Sequence, residues 1–139
     1  IRIIKGTEWN YMDDVYKSIL SGAAFSISPQ SSRMGYRLKK EALTTSQACE
    51  IISSQVTQGT MQLTPSGELI ILMADAQTVG GYPRVSQVCA ADLPILAQKK
   101  PGDQVHFQLI ELQLAEELYL KQVEQLTNIK QTLEQLYAG

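Results

Sequence analysis

The sequence predicts a mainly β domain with flanking helices and a long C-terminal α-helix. Three observations carry that prediction. Short apolar–polar alternations recur through residues 1–110, each bounded by Gly, Pro or Ser. Turn signals separate them at intervals of ~8–12 residues, the rhythm of a small barrel or sandwich. From Glu111 the composition shifts to Leu, Gln and Glu, with no Gly or Pro before Gly139.

Ile1–Lys5 opens with β-branched residues and reads as a short strand. Asp13 and Asp14 precede Val15, Tyr16, Ile19 and Leu20 at helical spacing, so a short helix follows, with acids at its positive end and Gly22 at its stop. Ala24–Ser28 alternates as a half-buried strand that Pro29 ends, and Met34–Leu38 is a further strand candidate. Ile51-Ile52 and Val56 continue the β character, and Met61–Thr64 alternates before the turn Pro65-Ser66-Gly67. Leu69–Met73 is a continuous apolar run, expected to be a strand buried on both faces. A loop from Asp75 to Pro83 leads into a strand at Arg84–Val88. Asp92-Leu93-Pro94 has the pattern of an N-capped helix running through Leu96-Ala97. Pro101-Gly102-Asp103 turns the chain into a strand at Val105–Leu109. Leu112, Ala115, Tyr119, Gln122, Leu126, Ile129, Leu133 and Leu136 then recur at 3-4 spacing, predicting a helix ~40 Å long. That helix either packs along its own domain or projects to a partner. The division is therefore 1–110 and 111–139.

Composition narrows the functions. The 139 residues carry 12 Lys+Arg against 14 Asp+Glu, and a net charge of −2 speaks against a nucleic-acid or anionic-membrane surface. No apolar run reaches the ~18 residues of a membrane span. Cys49 and Cys89 form no CxxC pair, which excludes a disulfide scaffold and a four-cysteine zinc site. His106 is the only histidine, so no metal centre built on histidines is expected. It reads as a surface or satisfied strand residue, and both cysteines as buried structural thiols. The opening IRIIKGTEWN lacks the apolar stretch of a secretory signal, so the expected compartment is the cytoplasm. Its abrupt β start leads us to expect a piece of a longer polypeptide.

Two segments carry unusual chemistry. In Ser31-Ser32-Arg33-Met34-Gly35-Tyr36-Arg37-Leu38, two guanidinium groups beside hydroxyls and a glycine can hold a carboxylate or phosphate. On a strand, Arg33 and Arg37 share a face; in a loop they are simply solvated. The second segment, Ala74–Pro83, follows the most hydrophobic strand, where a rigid scaffold presents a polar loop. Asp75 can orient a polar group or act as a base, Gln77 and Thr78 donate and accept, and Gly80-Gly81 admits close backbone approach. The alternative is a tight turn bonded to itself.

Taken together, SSRMGYRL (31–38), QGTMQLTPSGELIILMADAQTVGGYPRV (58–85) and AADLPILAQKKPGDQVHF (90–107) resemble the allophanate hydrolase subunit 2, or biotin-dependent carboxyltransferase, family. The resemblance implies a cyclophilin-like β-barrel, here the second of two related halves, since the glycine-rich QD-x-GR segment of the first is absent. It implies an ATP-dependent, 5-oxoprolinase-type complex that opens the lactam of 5-oxoproline to glutamate. The partners implied are the N-terminal half and subunits of A and B type, and the isolated chain is expected to be inactive. Alternatives within the resemblance are a carboxyltransferase served by biotin on a separate carrier, and a non-catalytic regulatory module. On the motif positions, Asp75 and Gln77 are the catalytic candidates. Arg33, Tyr36, Arg37, Gln62, Ser66, Thr78, Gly80, Gly81 and Tyr82 are the substrate-binding candidates, with Gly35, Pro65 and Gly67 as motif glycines and proline. Ala76 stands where many members carry Arg or Cys.

Overall fold

A computed structural model describes residues 1–39 and 53–138. The elements follow the predicted order: β1 (Arg2–Lys5), α1 (Asp14–Gly22), β2 (Ala24–Ile27), β3 (Gly35–Lys39), β4 (Ser54–Gln55), β5 (Thr60–Leu63), β6 (Leu69–Leu72), β7 (Val79–Gly80), β8 (Arg84–Val88), α2 (Leu93–Ala97), β9 (Gln104–His106), β10 (Gln108–Leu109) and α3 (Leu112–Tyr137). Cys49 and Ile51-Ile52 lie outside the described residues.

Eight strands form one sheet in the order β10-β1-β8-β5-β6-β3-β2-β9, and β4 pairs with β7 as a separate ribbon. The strand expected over Val105–Leu109 is broken at Phe107, and the break matters. Its first part pairs with β2 (Val105 opposite Phe25), and its second runs parallel to β1 (Gln108 opposite Arg2). One short stretch of chain thus joins the two ends of the sheet into a nearly closed barrel. The amino group of Ile1 donates to the His106 carbonyl at 2.8 Å across that seam.

The alternation seen in sequence fills the barrel. Ile3, Phe25, Ile27, Leu38, Met61, Ile71, Val85 and Val105 all point inward and are buried. Phe25 and Phe107 meet at 5.6 Å between ring centres, tilted by 57°, an arrangement that favours edge-to-face attraction. Asp13 caps α1, its carboxylate accepting from Tyr16 N at 2.7 Å. Tyr16 is buried, and its hydroxyl donates to the Gly67 carbonyl at 3.0 Å. Gly67 has φ +85° in the β5–β6 turn, a conformation that Gly alone adopts without strain.

Asp92 departs from the predicted role. Its side chain makes no capping bond to α2. Instead it accepts from the backbone N–H of Arg2 at 2.7 Å and from the Arg2 guanidinium, tying β1 to the start of α2. Glu8 does the same with Arg84, accepting from its backbone N–H at 2.8 Å and from Nη2 at 2.7 Å. In the chain order Asp92 sits where a cap belongs, but a guanidinium is the stronger partner.

The C-terminal helix packs along its own domain only at its start. Ala115 is buried, and Gln122 Nε2 donates to the Ala91 carbonyl at 3.0 Å, so the first turns dock on the barrel. Beyond them Leu126, Ile129, Leu133 and Leu136 are exposed, Leu136 to 71%. Among the described residues, no helix is long and apolar enough to cross a membrane.

Candidate functional site

A cavity of about 680 Å³ forms a cleft on the outer face of the sheet, roofed by the β4–β7 ribbon. Its geometry follows from strand periodicity. In β6, Leu69 and Ile71 face the core, whereas Ile70 and Leu72 are half-buried and line the cleft. The apolar run expected to be buried on both faces therefore has a core side and a cleft side. In β3, Gly35 and Arg37 reach the cleft, while Leu38 is buried in the core and Tyr36 packs against it.

Gln62 lies on the cleft wall in β5, only 6% exposed, beside a β-bulge against β8. Among the described residues its side-chain amide makes no hydrogen bond. A buried amide left without a partner costs about 1–3 kcal/mol. Gly80 crosses directly over it, and a Cβ built there would overlap Gln62 Nε2. Glycine at that point is required by the close approach, not by the backbone angle.

The segment Asp75–Pro83, expected to be a loop throughout, contains β7. Thr78 accepts from Val56 N at 3.0 Å through its backbone carbonyl, and Val79 and Gly80 pair with Gln55 and Ser54. This places Gln77, Gly80, Gly81 and Tyr82 on the cleft. Of the candidate residues, Arg37, Gln62, Gln77, Gly80, Gly81 and Tyr82 are thus gathered at one site.

The others lie elsewhere. Arg33 and Arg37 do not share a face. Arg33 sits in the Ser32–Gly35 turn ahead of β3, where Ser32 N donates to the Gly35 carbonyl at 3.0 Å. Its Nε donates to Asp75 Oδ2 at 2.8 Å, away from the cleft, whereas Arg37 Nη1 donates to Glu68 Oε2 at 3.1 Å. Asp75 is exposed and does not line the cleft. Tyr36 turns the other way, its hydroxyl donating to the Ala97 and Lys99 carbonyls at 3.2 Å each. Ser66 is in the β5–β6 turn, 2.9 Å from Thr64 Oγ1. His106 is exposed, and burial pushes the Cys89 thiol pKa up, as a structural thiol requires. Among the described residues no cluster of His, Cys, Asp and Glu is arranged to hold a metal ion.

Residues 1–109 match the protein family described as the carboxyltransferase domain, subdomains A and B. The chain belongs to that family. It is 40% identical over 112 residues to the C subunit of 5-oxoprolinase from Haemophilus influenzae, covering 76% of this chain and 36% of that protein. Against the C subunit of 5-oxoprolinase from Escherichia coli K12 it is 36% identical over 125 residues, covering 90% of this chain and 40% of that protein. The chain thus spans well under half the length of these curated relatives. The crystal structure of Kluyveromyces lactis urea carboxylase shares its fold with a TM-score of 0.84 at 19% identity, over 92% of this chain and 12% of that one.

Sequence reasoning missed several contributors to this carboxyltransferase-family cleft. Gln30, Ser32, Met34 and Ser53 also line it, with Val56, Ile70 and Leu72 supplying apolar surface. The signal for Ile70 and Leu72 was present: a strand apolar on both faces needs a cover for its outer face. Gln30 gave none beyond following Pro29.

Proposed function

We propose that this chain supplies the cyclic-amide-binding wall of a 5-oxoprolinase-type subunit, working in the cytoplasm within a multi-subunit hydrolase. The single observation that carries the reading is the buried amide of Gln62 on the cleft, unpartnered among the described residues. A lactam presents an N–H donor beside a C=O acceptor, and a Gln side chain offers the complementary pair. Gln77 adds a second amide just ahead of the opposing ribbon, and Gly80-Gly81 leaves the wall free of side chains at the closest approach. Arg37 gives only one of its donors to Glu68, so its remaining N–H groups are available to a substrate carboxylate. Such an arrangement favours orientation of the lactam carbonyl and stabilisation of charge developing on its oxygen.

Asp75, bonded to Arg33 outside the cleft, holds the ribbon's approach segment in place in this reading, a positioning residue instead of a base. ATP is the co-substrate we assign to the assembled complex. The described residues of the cleft do not make a triphosphate cradle, because Arg37 is the only cation among them. We therefore draw no step through ATP on this chain and assign it to the A-type and B-type partner subunits. The N-terminal half of the family domain completes the site.

The test uses the whole protein assembled with its partner subunits, ATP and 5-oxoproline, following glutamate release. Gln62→Leu is expected to cut kcat/KM by about 100-fold, as expected when a substrate amide loses its only buried partner. The same change should leave stability unaltered or raised, since an unpaired buried amide is removed. Turnover retained in Gln62→Leu would defeat the proposal. A carboxyltransferase acting with biotin on a separate carrier is the second reading, favoured by the likeness to the urea carboxylase fold. Release of glutamate from 5-oxoproline, against carboxylation of urea, separates the two.

A further inference from the structure

The wall formed by residues 31–37 has two sides, and a second cavity of about 450 Å³ lies on the side away from the cleft. It sits between the Ser31–Arg33 stretch, the Met73-Ala74 turn and the chain leaving α2. Its floor is apolar: Ile27 and Met73 are buried there, with Ala97 and Pro101 beside them. Its rim is cationic, carrying Arg33, Lys99 and Lys100. Among the described residues neither lysine makes an ion pair with a carboxylate. Asp103 accepts only from the backbone N–H of Lys100, at 2.9 Å. Arg33 is held by Asp75 through Nε alone, which leaves both terminal nitrogens of its guanidinium to a ligand. Tyr36 fixes the cavity's shape by bridging β3 to the Ala97 and Lys99 carbonyls.

We propose that this cavity binds a small organic phosphate, its anionic head on Arg33, Lys99 and Lys100 and its apolar body against Met73 and Pro101. The volume lies within the range of small-molecule sites, and an apolar floor with a few convergent charged groups is their usual composition. Among the described residues, three cations stand against the carboxylates of Asp75 and Asp103, an excess of positive charge that favours an anion over a neutral ligand. The site also touches the cleft mechanically. Met73 N donates to the Met34 carbonyl at 3.2 Å and Asp75 N to the Arg33 carbonyl at 3.0 Å, so the two walls are zipped together just ahead of Gln77. This assignment stands independently of the lactam reading.

Calorimetric titration of the full chain with phenyl phosphate and with inorganic phosphate tests it. Phenyl phosphate is expected to bind at least about tenfold more tightly than inorganic phosphate, because only it covers the apolar floor. The double variant Lys99→Gln/Lys100→Gln, which changes no buried group, should weaken phenyl phosphate by about tenfold or more. Arg37→Gln, on the other side of the wall, should leave that affinity unchanged. Chemical-shift changes at the Met73 methyl on titration would place the ligand in the cavity. Absence of phenyl phosphate binding at millimolar concentration, equal affinity for the two anions, or binding indifferent to the double lysine variant overturns the proposal. Loss of binding in Arg37→Gln alone would move the anion to the cleft and overturn it too.

Discussion

Four arginines of this barrel bond carboxylates, and they do so in two ways. Arg2 and Arg84 each offer one carboxylate both a backbone N–H and a guanidinium, and those acids, Asp92 and Glu8, have side chains only 4% and 12% exposed. Arg33 and Arg37 make one contact each, to Asp75 and Glu68, which are 55% and 26% exposed. The first pair of contacts staples distant parts of the chain together around β1 and β8. The second pair lies on two cavities, where a guanidinium with spare donors remains usable. The same two functional groups serve stability or binding according to how far water has been removed from the acid.

The difference is best broken at its buried end. Asp92→Ala should lower the unfolding free energy by about 3 kcal/mol in urea titration, because it strands the Arg2 backbone N–H and half-buried guanidinium. A loss below about 1 kcal/mol would make the staple no different from a surface pair. Acid should show the same distinction more mildly. The bond from Arg84 holds the Glu8 pKa below its usual 4.5. For Asp92, burial acts to raise the pKa, but the hydrogen bonds from Arg2 outweigh it and keep it below 3.8. A carboxylate with a depressed folded pKa stabilises fully above its unfolded value and loses that contribution as pH falls through the folded one. The urea midpoint is therefore expected to be flat above those values and to decline below them, and Glu8→Gln should make that decline shallower. At the exposed end, Asp75→Asn should change stability by no more than about 0.5–1 kcal/mol. Activity of the assembled complex is the place to look for its effect.

This comparison also marks what could be read in advance. Ala24–Ile27 was legible because one fully buried face imposes strict alternation, whereas Thr60–Leu63 is buried along its whole length although its residue types alternate. The β4–β7 ribbon was not legible, since two residues a side are too few for any period and its pairing joins Ser54 to Gly80. Spacing puts Arg33 and Arg37 on one face only if both lie on a strand; the Ser32–Gly35 turn, closed by backbone bonds, holds Arg33 ahead of β3 and separates them. Asp92 was misread because a capping pattern is local, while its true partner, Arg2, comes from the other end of the sequence. Of the residues on the family motifs, Arg37, Gln62, Gln77, Gly80, Gly81 and Tyr82 line the cleft, and others do not. Ser66 and Tyr36 have ordinary structural partners in a turn and at the exit of α2.

The junction at Phe107 has a further consequence. Because the chain from Gln104 to Leu109 completes hydrogen bonding with β2 on one side and β1 on the other, the main sheet offers an incoming strand no open row of N–H and C=O groups at that seam. Strand addition, the simplest way for one β protein to recruit or aggregate with another, is blocked where the barrel shuts. A protein that joins this domain there has to recognise side chains, and specificity then resides in surface chemistry in place of the indiscriminate backbone.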